Sequence, residues 1–195
     1  KFDQYHGDLG AMPYQNFIDY ANEHGGLTFW AHPEAEYSQK ENEIRIETAE
    51  HTASLLETSG YTGFSIFYEG YKKVGLPAGL WDKILIEYCQ GKRNKPIWAI
   101  VGLAFDKAGD LTQRMKTLRT VLLVPRLDKA EALKALRYGR MYIASGPEST
   151  QFILDEFSIK DMAANREAVM GEELKLSGKS VTMRIRGHFL DNRNT

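Results

Sequence analysis

The residue best placed for chemistry is a histidine that follows an apolar stretch. His32 comes directly after Leu27–Ala31, which is predicted to form a short buried strand, and Pro33 restricts the turn that follows. In parallel α/β folds the active site gathers where strands end and loops begin. An imidazole at such a point can ligate a metal or transfer a proton, and the adjacent Glu34 could contribute a second group. A partly buried histidine bonded to a backbone carbonyl is the other interpretation, and position alone favours neither.

Two carboxylates follow the next two predicted strands in the same way. Glu69 comes just after the strand predicted at 63–68, and Asp106 follows the strand predicted at 96–101. Because the carboxyl ends of parallel strands lie at one edge of a sheet, we expect both side chains to share a cleft with His32. Glu69 could ligate a metal, orient the His32 ring as a hydrogen-bond acceptor, or be an ordinary loop carboxylate.

These residues depend on an alternation of strands and helices that runs as far as Gly146. The alternation of apolar strands and helical patterns predicts a parallel α/β sheet with crossover helices on its outside. Leu80–Cys89 is the clearest amphipathic helix, and Asp128 with Glu131 predicts a capping box at the start of a later helix. The predicted strands lie at 27–31, 63–68, 96–101, 120–124 and 141–144.

The pattern changes after Pro147. The stretches 151–154 and 181–186 alternate like strands, and little helical signal lies between them. We therefore predict a domain boundary here, with residues 1–146 in the α/β domain and residues 147–195 at the start of a β-rich appended domain. The chain begins at Lys1 rather than at Met, and its last predicted strand has no obvious partner. We expect it to be part of a longer protein or a processed product.

The composition argues against several classes of function. The formal net charge is −1, and Lys and Arg are spread along the chain without a basic block, which argues against a nucleic-acid binder. No apolar run approaches the roughly 20 residues that a membrane helix requires. The single Cys89 excludes an internal disulfide and a zinc site built from several cysteines. These features assign neither a cellular compartment nor an oligomeric state, both of which stay open.

Three segments resemble the PHP (polymerase and histidinol phosphatase) superfamily of metal-dependent phosphoesterases. The stretch 25–34, GGLTFWAHPE, is similar to the family's segment of two glycines, an apolar run and AHPE. The stretch 81–85, WDKIL, resembles a helix of the branch that includes carbaryl-hydrolase-like proteins. The stretch 132–147, ALKALRYGRMYIASGP, resembles the segment that leads into that branch's appended β domain. The three segments occur in the family's order.

This resemblance implies a distorted (β/α) barrel, of which the chain would hold the C-terminal part, followed by the β-rich segment. It also implies a cluster of divalent metals, commonly zinc, manganese or iron. By position, His32 matches the metal-binding histidine of the AHP segment. Asp106 matches the aspartate of the family's closing Asp-x-His, and His6 is the position that matches a further upstream histidine. The family's opening His-x-His is absent, and Ala108 stands in place of the closing histidine, so we expect an incomplete site.

The resemblance therefore implies a metal-dependent hydrolase, acting on a small-molecule phosphate ester or a related substrate. His32 and Asp106 would bind the metal, and Glu69 would support catalysis. The alternative is a PHP-like module that has lost metal ligands and has a binding or structural role. Ala108 favours this alternative, and the positive charge of Lys107 would be unfavourable beside a metal cluster.

The predicted domain boundary can be tested by limited proteolysis. Because loop signals are dense between about Pro147 and Gly171, we expect a protease to cut the native chain first in that interval. Mass spectrometry of the early fragments would locate the cut. Protection of that interval, with cleavage confined to the stretch from Lys107 to Lys116, would count against the boundary.

Overall fold

The computed structural model divides the chain into two compact units, Lys1–Gly102 and Leu103–Thr195, and each is described by itself. The structure describes residues 13–41, 44–48, 50–67, 69–103, 115–147 and 152–189. In this part of the chain, no helix is long and apolar enough to cross a membrane. The boundary expected near Pro147 stays a prediction.

Three parallel strands form the centre of the first unit. The strand order is β1-β4-β5, with Phe29 paired to Gly63 and Phe64 paired to Ala99. These strands are the first three that the sequence predicts, and they are parallel as the alternation with helices predicts. The elements of this unit are α1 (Pro13–Glu23), β1 (Phe29–Trp30), β2 (Tyr37–Glu41), β3 (Ile44–Thr48), α2 (Thr52–Glu57), β4 (Gly63–Phe67), α3 (Leu80–Cys89) and β5 (Trp98–Val101).

Two glycines explain how helix α1 ends and how β4 approaches β5. Gly25 has a φ of 70°, a left-handed conformation that suits glycine, and the N–H of Gly26 donates to the carbonyl of Ala21 at 2.7 Å. At Gly63, a Cβ atom would lie 1.9 Å from the carbonyl oxygen of Trp98. The close approach of the first residue of β4 to β5 therefore requires a glycine.

The core of the first unit joins the helices to β4. Tyr61 donates its hydroxyl to the carbonyl of Leu55 at 2.7 Å, and burial raises the pKa of this hydroxyl. Phe64 meets Trp81 edge to face, with ring centroids 5.5 Å apart. The indole N–H of Trp81 donates to the carbonyl of Ile97 at 3.1 Å, which fixes α3 next to β5. Five apolar side chains of this core are fully buried: Leu55, Tyr61, Phe64, Val74 and Ile84.

An antiparallel hairpin that the sequence analysis does not predict lies between β1 and α2. Strand β2 pairs with β3 in a continuous register from Tyr37 opposite Thr48 to Glu41 opposite Ile44. The sequence of β2, YSQKE, lacks the alternation of apolar and polar residues that identifies a half-buried strand. The hairpin returns the chain to the loop that contains His32.

The second unit begins with an antiparallel pair, β6 (Leu118–Leu122) and β7 (Met141–Ser145), joined through α4 (Lys129–Tyr138). The sequence pattern predicts these strands to continue the parallel sheet, and that prediction is wrong. Leu122, the last residue of β6, pairs with Met141, the first residue of β7. The connection through α4 therefore begins and ends at the same end of this strand pair. One half of the predicted capping box of α4 is confirmed, because the carboxylate of Asp128 accepts the N–H of Glu131 at 2.9 Å. The other half is not formed, since the N–H of Asp128 donates to the carbonyl of Arg126.

A three-stranded antiparallel sheet completes the second unit. Its strands are β8 (Phe152–Asp161), β9 (Arg166–Val169) and β10 (Val181–Phe189), in the order β10-β8-β9. The last predicted strand therefore has a partner, since β10 pairs with β8 along its whole length. All residues of β10 are exposed.

The expectation of a partial distorted (β/α) barrel is wrong. The described residues form one parallel three-stranded sheet, one antiparallel three-stranded sheet and two antiparallel pairs, with no closed barrel among them. A (β/α) barrel needs parallel order that continues from strand to strand. Among the described strands, the parallel pairing includes only β1, β4 and β5, and the connection through α4 joins the antiparallel strands β6 and β7. The fold is mixed, with small sheets and few helices.

A buried aspartate joins two segments of the second unit. Asp161 is fully buried, and its carboxylate accepts the N–H groups of Ala163 at 2.9 Å and Ser177 at 2.6 Å. The guanidinium of Arg166 lies 3.8 Å from the same carboxylate. These hydrogen bonds, the one from Ser177 above all, lower the pKa of Asp161 below its ordinary value.

The lowered pKa of Asp161 predicts a loss of stability in acid. A carboxyl group whose pKa is lower in the folded state stabilises the fold above its unfolded pKa of about 3.9, and this contribution disappears as the pH falls through the folded pKa. Asp161→Asn should lower the urea midpoint at neutral pH, and the difference from wild type should narrow in acid. The exposed Asp155→Asn is the control, with little expected effect. A constant difference between Asp161→Asn and wild type at every pH would contradict the prediction.

Candidate functional site

The structure brings together two of the residues that the sequence analysis selects. His32 follows β1 and Glu69 follows β4, and these strands are parallel neighbours, so both loops leave the sheet at the same edge. Nδ1 of His32 lies 3.8 Å from Oε2 of Glu69, with the side chains 32% and 53% exposed. This distance is within ion-pair range and longer than a hydrogen bond. Both side chains are therefore partly exposed to solvent.

Both residues have a left-handed backbone conformation, which is uncommon for residues other than glycine. The φ angle is 48° at His32 and 61° at Glu69. Such conformations cost about 1–3 kcal/mol each and persist where the surrounding structure imposes them, often at functional sites. Two of them at facing strand ends support the interpretation of this edge as a site.

Glu34 holds the two loops to each other. Its backbone N–H donates to the carbonyl of Glu69 at 2.8 Å, and its carboxylate accepts the backbone N–H groups of Lys72, Lys73 and Val74. From the sequence, Glu34 is a candidate second chemical group beside His32. In the structure it is an anchor, because its oxygens are engaged by the neighbouring loop.

His51 is a neighbour of the site that sequence reasoning missed. Its backbone N–H donates to the carbonyl of Pro33 at 3.0 Å, and its Nε2 lies 3.4 Å from the carbonyl oxygen of Ala31. The ring also lies near Trp30, with centroids 5.6 Å apart. The intervening hairpin brings His51 back to this loop, so no local spacing could have identified it.

An ion pair lies beside these contacts. Nζ of Lys73 forms a close ion pair with the carboxylate of Glu50, the residue before His51. This side-chain hydrogen bond lowers the pKa of Glu50 and raises the pKa of Lys73. Lys73 therefore contacts the site through two groups, since its backbone N–H also binds Glu34. The loops at 31–36, 50–51 and 69–75 form one connected set.

The other two predicted ligands, Asp106 and His6, lie outside the described residues. Within those residues, no group of three or more His, Cys, Asp or Glu side chains could hold a metal ion. An imidazole nitrogen and a carboxylate oxygen are suitable donors for zinc, manganese or iron. His32 and Glu69 thus fit a divalent metal in chemical type and are too few to hold it alone.

The arrangement supports two chemical roles for His32. A carboxylate next to a histidine ring selects its tautomer and orients it, either as a metal ligand or as a general acid or base. Distances between such groups are often long before a ligand binds, and they shorten in the complex. Both roles assign Glu69 the same task of orienting the ring.

Comparison with protein-family models, with curated proteins and with solved structures finds no match to this chain.

The shortage of ligands predicts the metal content of the purified chain. We expect less than one equivalent of zinc, manganese and iron together by elemental analysis after dialysis, since one imidazole and one or two carboxylates bind such ions weakly. His32→Ala should leave that content unchanged. A stoichiometric metal in the wild type that disappears in His32→Ala would contradict the prediction.

Proposed function

We propose that this chain is a metal-dependent hydrolase of PHP type that acts on a small phosphate ester. The observation that carries the proposal is the pairing of His32 with Glu69, at 3.8 Å, at the ends of adjacent parallel strands. Both residues have the strained left-handed backbone that is common at active sites. The sequence around His32, with its AHPE segment, supports the same conclusion.

In this proposal His32 is the central residue and Glu69 orients it. The carboxylate of Glu69 would accept the N–H of Nδ1 and so assign the other ring nitrogen, Nε2, to the ligand. A divalent metal, when bound, supplies an activated water and neutralises charge on the phosphate. Asp106 and His6 stay the candidates that the sequence offers for further ligands.

A non-catalytic binding or structural module is the second candidate. It is favoured by the number of donors, because the described residues provide two side chains where a catalytic metal site ordinarily has three protein ligands. Ala108, in place of the expected closing histidine, also favours it.

Hydrolysis of p-nitrophenyl phosphate, with and without an excess of added zinc, manganese or iron, distinguishes the two candidates. For the hydrolase we expect turnover that requires the added metal and disappears in His32→Ala. Glu69→Gln should lower kcat/KM by about 10- to 100-fold, the usual effect of removing a group that orients a metal-binding histidine.

His24→Ala is the matched control. His24 lies in the same unit, is exposed, and bonds through its ring to the carbonyl of Tyr20 at 2.8 Å. This variant should retain full turnover. Metal-stimulated hydrolysis that survives in His32→Ala would refute the assignment of His32, and its absence from the wild type at every metal concentration would favour the non-catalytic module.

A further inference from the structure

In the loop after β4, three successive backbone N–H groups donate to the same carboxylate, which belongs to Glu34 in the loop after β1. Oε1 of Glu34 accepts the N–H groups of Lys73 at 2.7 Å and Val74 at 2.8 Å, and Oε2 accepts that of Lys72 at 2.9 Å. Hydrogen bonds to an ionised acceptor are roughly twice as strong as neutral ones. Runs of backbone N–H groups that point to one place are also a recognised way of binding phosphate and other anions.

This loop has bonds and packing that do not involve Glu34. The N–H of Gly75 donates to the carbonyl of Gly70 at 2.8 Å, and the N–H of Trp81 donates to the carbonyl of Val74 at 3.1 Å. The side chain of Val74 is fully buried. The loop at 70–75 is therefore held by an internal bond and by α3, and its N–H groups should keep their arrangement when the glutamate is removed.

We propose that residues 72–74 form an oxyanion nest whose resident ligand is the Glu34 carboxylate, and that Glu34 is the positioning residue of the candidate site. The nest binds both oxygens of a carboxylate, because Oε1 accepts two of the three N–H groups and Oε2 accepts the third. The importance of this contact for catalysis rests on the proposed function, whereas binding of the anion by the nest does not.

The backbone hydrogen bonds at Glu34 explain how this residue positions His32 and Glu69. The N–H of Glu34 donates to the carbonyl of Glu69 at 2.8 Å, and the N–H of the next residue, Ala35, donates to the carbonyl of His32 at 2.9 Å. The left-handed backbones of His32 and Glu69 are thus each bonded directly to Glu34 or to its neighbour. Without the carboxylate in the nest, both residues should relax toward ordinary backbone angles.

Glu34→Ala tests the proposal by NMR in the otherwise intact chain. A residue with positive φ gives a strong NOE between its own amide and α protons, and we expect this signal at His32 and Glu69 to weaken in the variant. Amide exchange at Lys72, Lys73 and Val74 should accelerate. Added acetate should slow the exchange, whereas acetamide, its neutral counterpart of similar shape, should not. Neither compound should restore the NOE, because a free anion in the nest does not join it to the loop of His32.

Glu36→Ala is the matched control. It removes the same charge from the same loop, and its side chain is exposed. The NOE and exchange of all five residues should remain as in the wild type. Retention of the NOE in Glu34→Ala, or failure of acetate to slow the exchange at residues 72–74, would overturn the proposal.

Glu34→Gln decides the question if Glu34→Ala does not fold. The amide NH₂ would occupy the place of one carboxylate oxygen and face a backbone N–H, so at least one of the three amides should exchange faster. Unchanged exchange at all three would overturn the nest. A wild type without phosphatase activity would refute the proposed function and leave these measurements valid. With activity present, Glu34→Ala should lower turnover, and free acetate should not restore it.

Discussion

The hydrogen bonds between the Glu34 carboxylate and the loop at 72–74 are the constraint on which the rest of the site depends. They connect the loop after β1 to the loop after β4, and so act together with the parallel pairing of these strands. Strand pairing brings the loops to the same edge, and the carboxylate then determines how they face each other. A two-residue strand such as β1 could not hold a loop in a strained conformation by its own pairing.

The free-energy cost of the two left-handed residues is similar in size to the contribution of the hydrogen bonds that Glu34 accepts. Two left-handed residues cost a few kcal/mol together, and a hydrogen bond to a charged group contributes about 1.5–3 kcal/mol. Three such bonds at Glu34 are of the right size to hold His32 and Glu69 in place. The backbone bond from His51 to Pro33 adds a contact from the other side of the loop.

Local patterns predicted those elements whose cause is local. The apolar composition of β1, β4 and β5 is enough to predict them as buried strands. Asp128 predicts the start of α4, because its side chain caps the first turn of that helix. The hairpin of β2 and β3 and the antiparallel return to β7 depend on pairing between distant residues. Polar strands such as β2 carry no periodic signal, and the direction in which α4 returns is determined by tertiary packing.

The same distinction applies to the candidate site. His32 and Glu69 could be predicted because each follows a recognisable strand, and parallel strands bring such positions together. Glu34 was identified as a residue of interest, but its role depends on N–H groups in a loop 38 residues away in the chain. His51 could not be predicted, because it reaches the site through the unpredicted hairpin. Asp106 and His6 stay predictions.

Strand β10 has a consequence for how this protein behaves in solution. Its exposed residues alternate between apolar side chains and the cations Arg184 and Arg186, both of which contact the single carboxylate of Glu156. An exposed strand at a sheet edge can pair with the same strand of another molecule. If the β10 strands of two copies paired antiparallel about Ile185, Arg184 of one copy would face Arg186 of the other. In each copy the single carboxylate of Glu156 would neutralise one of these two positive charges. The excess positive charge therefore opposes edge-to-edge aggregation, and salt weakens that protection by screening it.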